Sequence, residues 1–151
     1  IEECQARIAP LSNPLEKLAE LIRFQMFLFD QSPEMAEVIT VELRQSSKFM
    51  REYRPQQFLD YLNLYTQCIR EAQAQGLITP EVSPKIISRA IFGAMDEISL
   101  AWALSGRRQY TLKEGAEQVV RMFLHGIGAQ PKAGEAVTAA ASASASATAT
   151  A

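Results

Sequence analysis

Four times along this chain a small polar residue stands just ahead of a helix-initiating segment, and the spacing leaves room for little except helices. "SNPLE" places Asn13 before Pro14 with Glu16 close behind, "QSPE" places Ser32 before Pro33, and "VSPK" places Ser83 before Pro84. "YTLKE" offers Thr111 and Glu114 as a capping box. Proline is tolerated in a first turn because its missing N–H has no intrahelical partner there, and the preceding side-chain oxygen accepts an orphan amide. Stops are marked by Gly76 after "REAQAQ" and Gly106 after "WALS", each predicted to be a left-handed residue ending a helix. Between the marks the apolar spacing is helical, as in Phe58, Leu62, Tyr65, Ile69 and Ala72, or Ala116, Val119, Val120, Phe123 and Ile127. The predicted helices run over about 15–30, 34–52, 56–75, 84–104 and 112–127, with the first residues forming the tail of an earlier one. Neither a tight hairpin turn nor sustained alternation of bulky residues occurs, so the fold class is all-α, a bundle of about five to six helices.

With 151 residues, 48% of them hydrophobic and 21% charged, residues 1–128 suffice for one domain with a real core. The formal net charge of -2 and the lack of a strongly basic segment argue against a module that grips phosphate backbones by itself. Cys4 and Cys68 form no CxxC pair and His125 is the only histidine, so neither a metal centre nor a disulfide framework is expected, and a reduced, cytoplasmic setting fits. No apolar run approaches the roughly 20 residues of a membrane span. The opening "IEECQARIAP" has neither a methionine nor the order of a secretion signal, which predicts a chain that begins inside a longer protein. Residues 129–151, "AQPKAGEAVTAAASASASATATA", have little with which to pack and are expected to be a low-complexity or disordered tail.

Two helices carry more apolar surface than one core requires. Helix 84–104 offers Ile87, Ala90, Ile91, Ala94, Ile98 and Ala101 on one side and Ile86, Met95 and Trp102 on another, while Gly93 adds to a run of small residues that would let a helix approach closely. The last helix is similarly rich, with Val119, Val120, Phe123 and Leu124. Pairing of both helices with their copies into a four-helix interface would cover the excess; a bundle that buries everything internally is the alternative. In "RFQMFLFD", residues 23–30, apolar side chains point in every direction, which predicts a central helix. Facing it are Val38, Leu43, Phe49 and Met50 of the next predicted helix and Phe58, Tyr61, Leu62 and Tyr65 of the third, an inventory that suits either a plain core or an apolar cavity.

Asp96 and Glu97 sit adjacent within the apolar "AIFGAMDEISLAWAL". They project about 100° apart, so one is expected to point inward and the other along a dimer seam or to solvent. A buried carboxylate needs partners, and Arg44 and Arg89 are the candidates. "RQSSKFMREYR", residues 44–54, is a solvated helix face or, at the mouth of a cavity, a docking place for a phosphate-bearing head group. His125 lies near a helix end, where it meets the helix dipole. No HExxH, di-iron Glu-x-x-His pair, phosphate loop or GxSxG occurs, so no catalytic residue, metal or cofactor is predicted and the chain is not expected to be an enzyme.

The wording of "VELRQS", "FGAMDE" and "QVVRMFLHGI" within this helix order resembles the C-terminal ligand-binding and dimerisation domain of TetR-family transcriptional regulators, in the FadR-like branch that responds to long-chain acyl-CoA. The resemblance covers residues 1 to about 128. It implies that residues 1–9 end a helix connecting to a DNA-binding head absent from this chain, so that operator DNA would be a partner only through that head. It implies a homodimer through Ile87, Ala90, Ile91, Ala94, Ile98, Ala101, Val119, Val120, Phe123 and Leu124. It also implies an acyl-CoA or fatty-acid effector. The expected chain-binding residues are Phe24, Phe27, Leu28, Phe58, Leu62, Tyr65, Phe92, Met95 and Trp102, with Arg44, Lys48 and Arg51 for the head group and Asp96 as a polar contact at the cavity wall. The rival readings are a structural dimerisation module without an effector, the same fold sensing a drug-like aromatic, and an enzyme or lipid carrier on a helical scaffold.

Overall fold

The computed structural model describes residues 1–32 and 56–126, all helix and connecting turn. Five helices follow in order: α1 (Glu2–Ile8), α2 (Pro14–Gln31), α3 (Gln56–Ala74), α4 (Pro84–Leu104) and α5 (Leu112–His125). The helix predicted over 34–52 and the tail predicted over 129–151 lie outside the described residues.

The punctuation acts largely as its chemistry requires. Asn13 accepts the Leu15 amide at 2.9 Å, with Pro14 opening α2. At the head of α5, Thr111 Oγ1 accepts the Glu114 amide at 3.1 Å while the Glu114 carboxylate receives the Thr111 amide at 2.8 Å, the reciprocal pairing of a capping box. Ser83 departs from the expectation: Pro84 begins α4, but the Ser83 side chain makes no cap bond, and its carbonyl instead accepts from Ile86 and Ile87 at 3.1 and 3.0 Å. Gly76 has φ 69°, and beyond it the Leu77 amide returns to the Ala72 carbonyl at 2.8 Å. Gly106 does not take the left-handed role expected of it, because α4 ends through an extended Ser105 at ψ 122°. The second left-handed glycine among the described residues is Gly126, φ 77°, which closes α5.

α2 is the hub, touching each of the other four described helices. Leu18, Leu21, Ile22, Phe24, Met26 and Phe29 are buried, so "RFQMFLFD" is central as expected, although Phe27 and Leu28 remain 49% and 38% exposed. α5 and α3 lie along α2, α4 packs on both of them, and α1 lies across α2. Arg23 grips Glu117 of α5 through Nε at 2.6 Å and a second nitrogen at 2.9 Å, and Lys17 meets Glu71 of α3 at 2.8 Å. These exposed pairs orient neighbours more than they stabilise them.

Gly115 lets α5 lie close against its neighbours: a Cβ there would stand 3.1 Å from Ile98 Cγ2 and 3.6 Å from Met26 Cε. Gly115→Leu is therefore expected to cost about 1–3 kcal/mol through overpacking, seen as a lower urea midpoint with an unchanged slope.

Candidate functional site

The seam between α3 and α4 gathers most of the expected lining. Phe58 and Phe92, both half-buried, meet edge to face with ring centroids 5.0 Å apart and planes at 74°. One helical turn deeper on the same two helices, Leu62 and Met95 are 5% and 0% exposed. Apolar side chains therefore follow one another from the chain's surface into its core. Tyr65 is fully enclosed, Phe24 is buried at the margin of α2, and Trp102 is buried under the Arg108 guanidinium at 4.0 Å. Phe27 and Leu28, expected in the same lining, are 49% and 38% exposed. Arg44, Lys48 and Arg51 lie outside the described residues.

A polar group unforeseen in the sequence sits within the apolar interior. The Tyr61 hydroxyl donates to Gln25 Oε1 and lies 2.7 Å from the Tyr65 hydroxyl, with the two rings edge to face at 5.3 Å. Burial pushes both phenols upward, so they remain protonated hydrogen-bonding groups. Gln25, 6% exposed, was detectable in principle. It is the polar member of "RFQMFLF" that projects with Leu18, Leu21 and Phe29, where an unpartnered amide would be costly. Nearby, Thr66 Oγ1 donates to Leu62 O at 3.0 Å and meets Ser88 Oγ at 3.1 Å. Ser99 Oγ donates to Met95 O at 2.7 Å.

The adjacent carboxylates divide as expected: Asp96 is 2% exposed and Glu97 is exposed. Arg89, one of the two arginines considered as mates, is exposed on the outer side of α4.

The expected pairing face is redistributed. Ile91, Val119 and Val120 are 1%, 1% and 7% exposed and belong to the chain's own core. Ile87, Ala94, Ile98, Phe123 and Leu124 are half-buried against it, and Ala90 and Ala101 are exposed. Ile86 and Leu104, 67% and 63% exposed, lie on the side of α4 opposite Met95 and Trp102, not with them. The outer face of α4 is thus Ile86, Ala90, Gly93, Glu97, Leu100, Ala101 and Leu104, an apolar strip with small residues in its middle.

An open groove of about 580 Å³ lies between α2 and α5, lined by Arg23, Glu117, Gln118, Val120, Arg121 and His125. Arg23 is held by Glu117, and Arg121 and His125 lie toward the C-terminal end of α5.

Among the described residues no group of His, Cys, Asp or Glu is placed to hold a metal, and no helix is long and apolar enough to cross a membrane. Both cysteines are free and buried; burial pushes the Cys4 thiol up and the Cys68 thiol up to about 11. A folded-state pKa above the ordinary 9.0 of Cys68 contributes stability that is fully present below pH 9 and is lost as pH rises toward 11. Denaturation midpoints are expected to fall across that window. In a Cys68→Ala chain the fall should be shallower.

The family model described as "YsiA-like protein, C-terminal region" matches residues 1–126. The fatty acid metabolism regulator protein of Bacillus subtilis (strain 168) is 27% identical over 127 residues, 84% of this chain and 65% of that protein. The chain thus spans just under two thirds of this curated relative's length. The crystal structure of the transcriptional regulator FadR from Bacillus subtilis in complex with stearoyl-CoA superposes with a TM-score of 0.76 at 26% identity, covering 84% of this chain and 68% of that one. The fatty acid degradation regulator FadR from Bacillus halodurans shares the fold at the same TM-score of 0.76 with 23% identity, over 84% and 68% of the two chains. These relatives are regulators rather than enzymes. By the match over residues 1–126, the chain belongs to the YsiA-like C-terminal-region family, a FadR-like branch of the TetR-type regulators.

Proposed function

We propose that residues 1–128 form the effector-binding and dimerisation domain of a transcriptional regulator, whose affinity for operator DNA is set by a long-chain acyl-CoA or fatty acid. The observation that supports this reading is the α3–α4 seam. Phe58 and Phe92 form a half-buried aromatic edge one turn from the buried Leu62 and Met95, which suits an extended apolar guest that enters between the rings. A relative of the same fold is known with stearoyl-CoA bound. Phe24, Tyr65 and Trp102 extend the lining, Asp96 supplies a polar group at its wall, and Arg44, Lys48 and Arg51 are assigned to the phosphate-bearing head. DNA contact belongs to a head outside this chain. The coupling is thermodynamic: if the guest fits one arrangement of the helices better than another, its differential affinity shifts the spacing of two DNA-reading heads.

Dimerisation is assigned to the outer face of α4 together with the exposed side of α5. Gly93 supports this. A mid-helix glycine costs about 1 kcal/mol relative to alanine, yet a Cβ at Gly93 would meet nothing within 4 Å of its own chain. Close approach of a second helix gives that glycine a reason, and Ile86, Ala90, Ala101 and Leu104 on the same face supply the apolar area.

Two measurements test the reading. Thermal shifts with acyl-CoAs from octanoyl to stearoyl are expected to grow with chain length, each buried methylene adding up to about 0.8 kcal/mol of binding; saturation at a hundredfold excess over Kd would add about 2.7 kcal/mol of stability. A flat series, or shifts only with aromatic compounds, would assign the seam to a packed core or to another ligand class. Gly93→Leu is expected to move the chain from dimer to monomer in sedimentation experiments while leaving helix content intact; an unchanged dimer would place the interface elsewhere.

A further inference from the structure

α1 (Glu2–Ile8) packs against α2, and its side chains set how it stands there. Cys4, 6% exposed, belongs to the same buried cluster as Phe24 and Tyr65. One turn on, the Arg7 guanidinium lies 4.2 Å from the centroid of the Phe24 ring, donates to Glu20 at 3.1 Å and pairs with Glu3 at 3.6 Å. Surface ion pairs alone hold a helix weakly, but a planar guanidinium stacked on a ring while its edge bonds a carboxylate fixes an orientation.

Both footings converge on two consecutive residues of α2. Phe24 is 4% exposed: Arg7 covers it from outside, and from inside it is part of the core. Gln25 receives the hydroxyl of Tyr61, which in turn meets Tyr65, a member of the buried cluster that also holds Cys4. A guest that displaces side chains around α2 and α3 thus reaches α1 through Phe24 under Arg7.

We propose that Arg7 is a positioning residue of the effector response: its clamp on Phe24 and Glu20 turns a movement of the Phe24 ring into a change in the direction of α1. This rests on the acyl-CoA reading above, because it requires a guest that touches the interior face of Phe24. Arg7 has no contact with the guest in this scheme; it acts through the ring.

The test is amide hydrogen exchange on the full chain with and without stearoyl-CoA, following α1 through the Gln5 and Ala9 amides, which bond to the Ile1 and Gln5 carbonyls at 2.9 Å. α5 serves as the reference for global stability. In the wild-type chain stearoyl-CoA is expected to change α1 exchange at least about fivefold, the lower end of ordinary coupling. Arg7→Met keeps the stem but removes the charge and the fork. It is expected to bind stearoyl-CoA within about twofold of wild type, to leave α5 exchange unchanged, and to lose the ligand-dependent change in α1. Arg7→Lys should restore some of it. Full retention of the α1 change in Arg7→Met overturns the proposal, as does a loss of stearoyl-CoA affinity in proportion to the lost response. If the wild-type chain does not bind stearoyl-CoA at all, the acyl-CoA reading falls, and with it any role for Arg7 in that response. The footing itself is decided without ligand: Phe24→Leu should speed α1 exchange about tenfold over α5, and unchanged α1 exchange would show that the ring does not hold the helix.

Discussion

Burial of α2 on most of its circumference is the constraint on which the remaining structure depends. Leu18, Leu21, Ile22 and Met26 are each at most 1% exposed, and burying a side chain of this size contributes roughly 1.5–3 kcal/mol. No single neighbour can cover so wide a sector. α5 takes one side, α3 another, α4 closes the gap between them, and α1 is laid over the margin at Phe24. The positions of the other helices are consequences of that demand, which is why the aromatic seam of α3 and α4 opens near α2 and why α1 ends up standing on α2's edge.

What was legible in the sequence was local. The Asn13–Pro14 start, the Thr111–Glu114 box and the Gly76 stop depend on atoms within a few residues of one another, so chain chemistry alone decides them. Gly106 failed as a stop signal for a tertiary reason. After Ser105 the chain is extended, and Tyr110 reaches back to donate to the Ile98 carbonyl at 2.8 Å, fixing the α4–α5 connection by side-chain docking and not by a left-handed turn. Ser83 shows the same limit: Pro84 and the Ser83 carbonyl open α4 without the hydroxyl.

Burial of the expected residues was partly legible, and where it was not one cause recurs. Phe24, Phe58, Leu62, Tyr65, Phe92, Met95 and Trp102 were all expected together, and each is buried or half-buried in the structure. Helical periodicity reveals that α4 has two apolar faces but not which faces the core, since both have the right composition. Only the packing of α2 and α3 makes Ile91, Met95, Ser99 and Trp102 the inner stripe and leaves Ile86, Ala90 and Leu104 outside. Phe27 and Leu28 are 49% and 38% exposed for the same reason, because a run that is apolar all round carries no phase.

The two faces of α4 give the adjacent carboxylates their physical meaning. Asp96 is turned inward, at 2% exposure, on the side that carries Phe92 and Met95, whereas Glu97 belongs to the outer strip with Ala90, Ala101 and Leu104. A helix with one carboxylate on each side cannot rotate about its axis without carrying one charge toward an apolar neighbour and exposing the other, and an uncompensated buried charge is among the most expensive errors a fold can make. Rotation of α4 about its axis is therefore opposed. Under the proposed reading, this is the useful restriction: α4 lines the guest's seam with one face and meets its twin with the other. A guest that separates Phe58 from Phe92 can then shift or tilt α4 as a rigid body, and the same displacement appears, undiminished by twisting, at the contact between subunits.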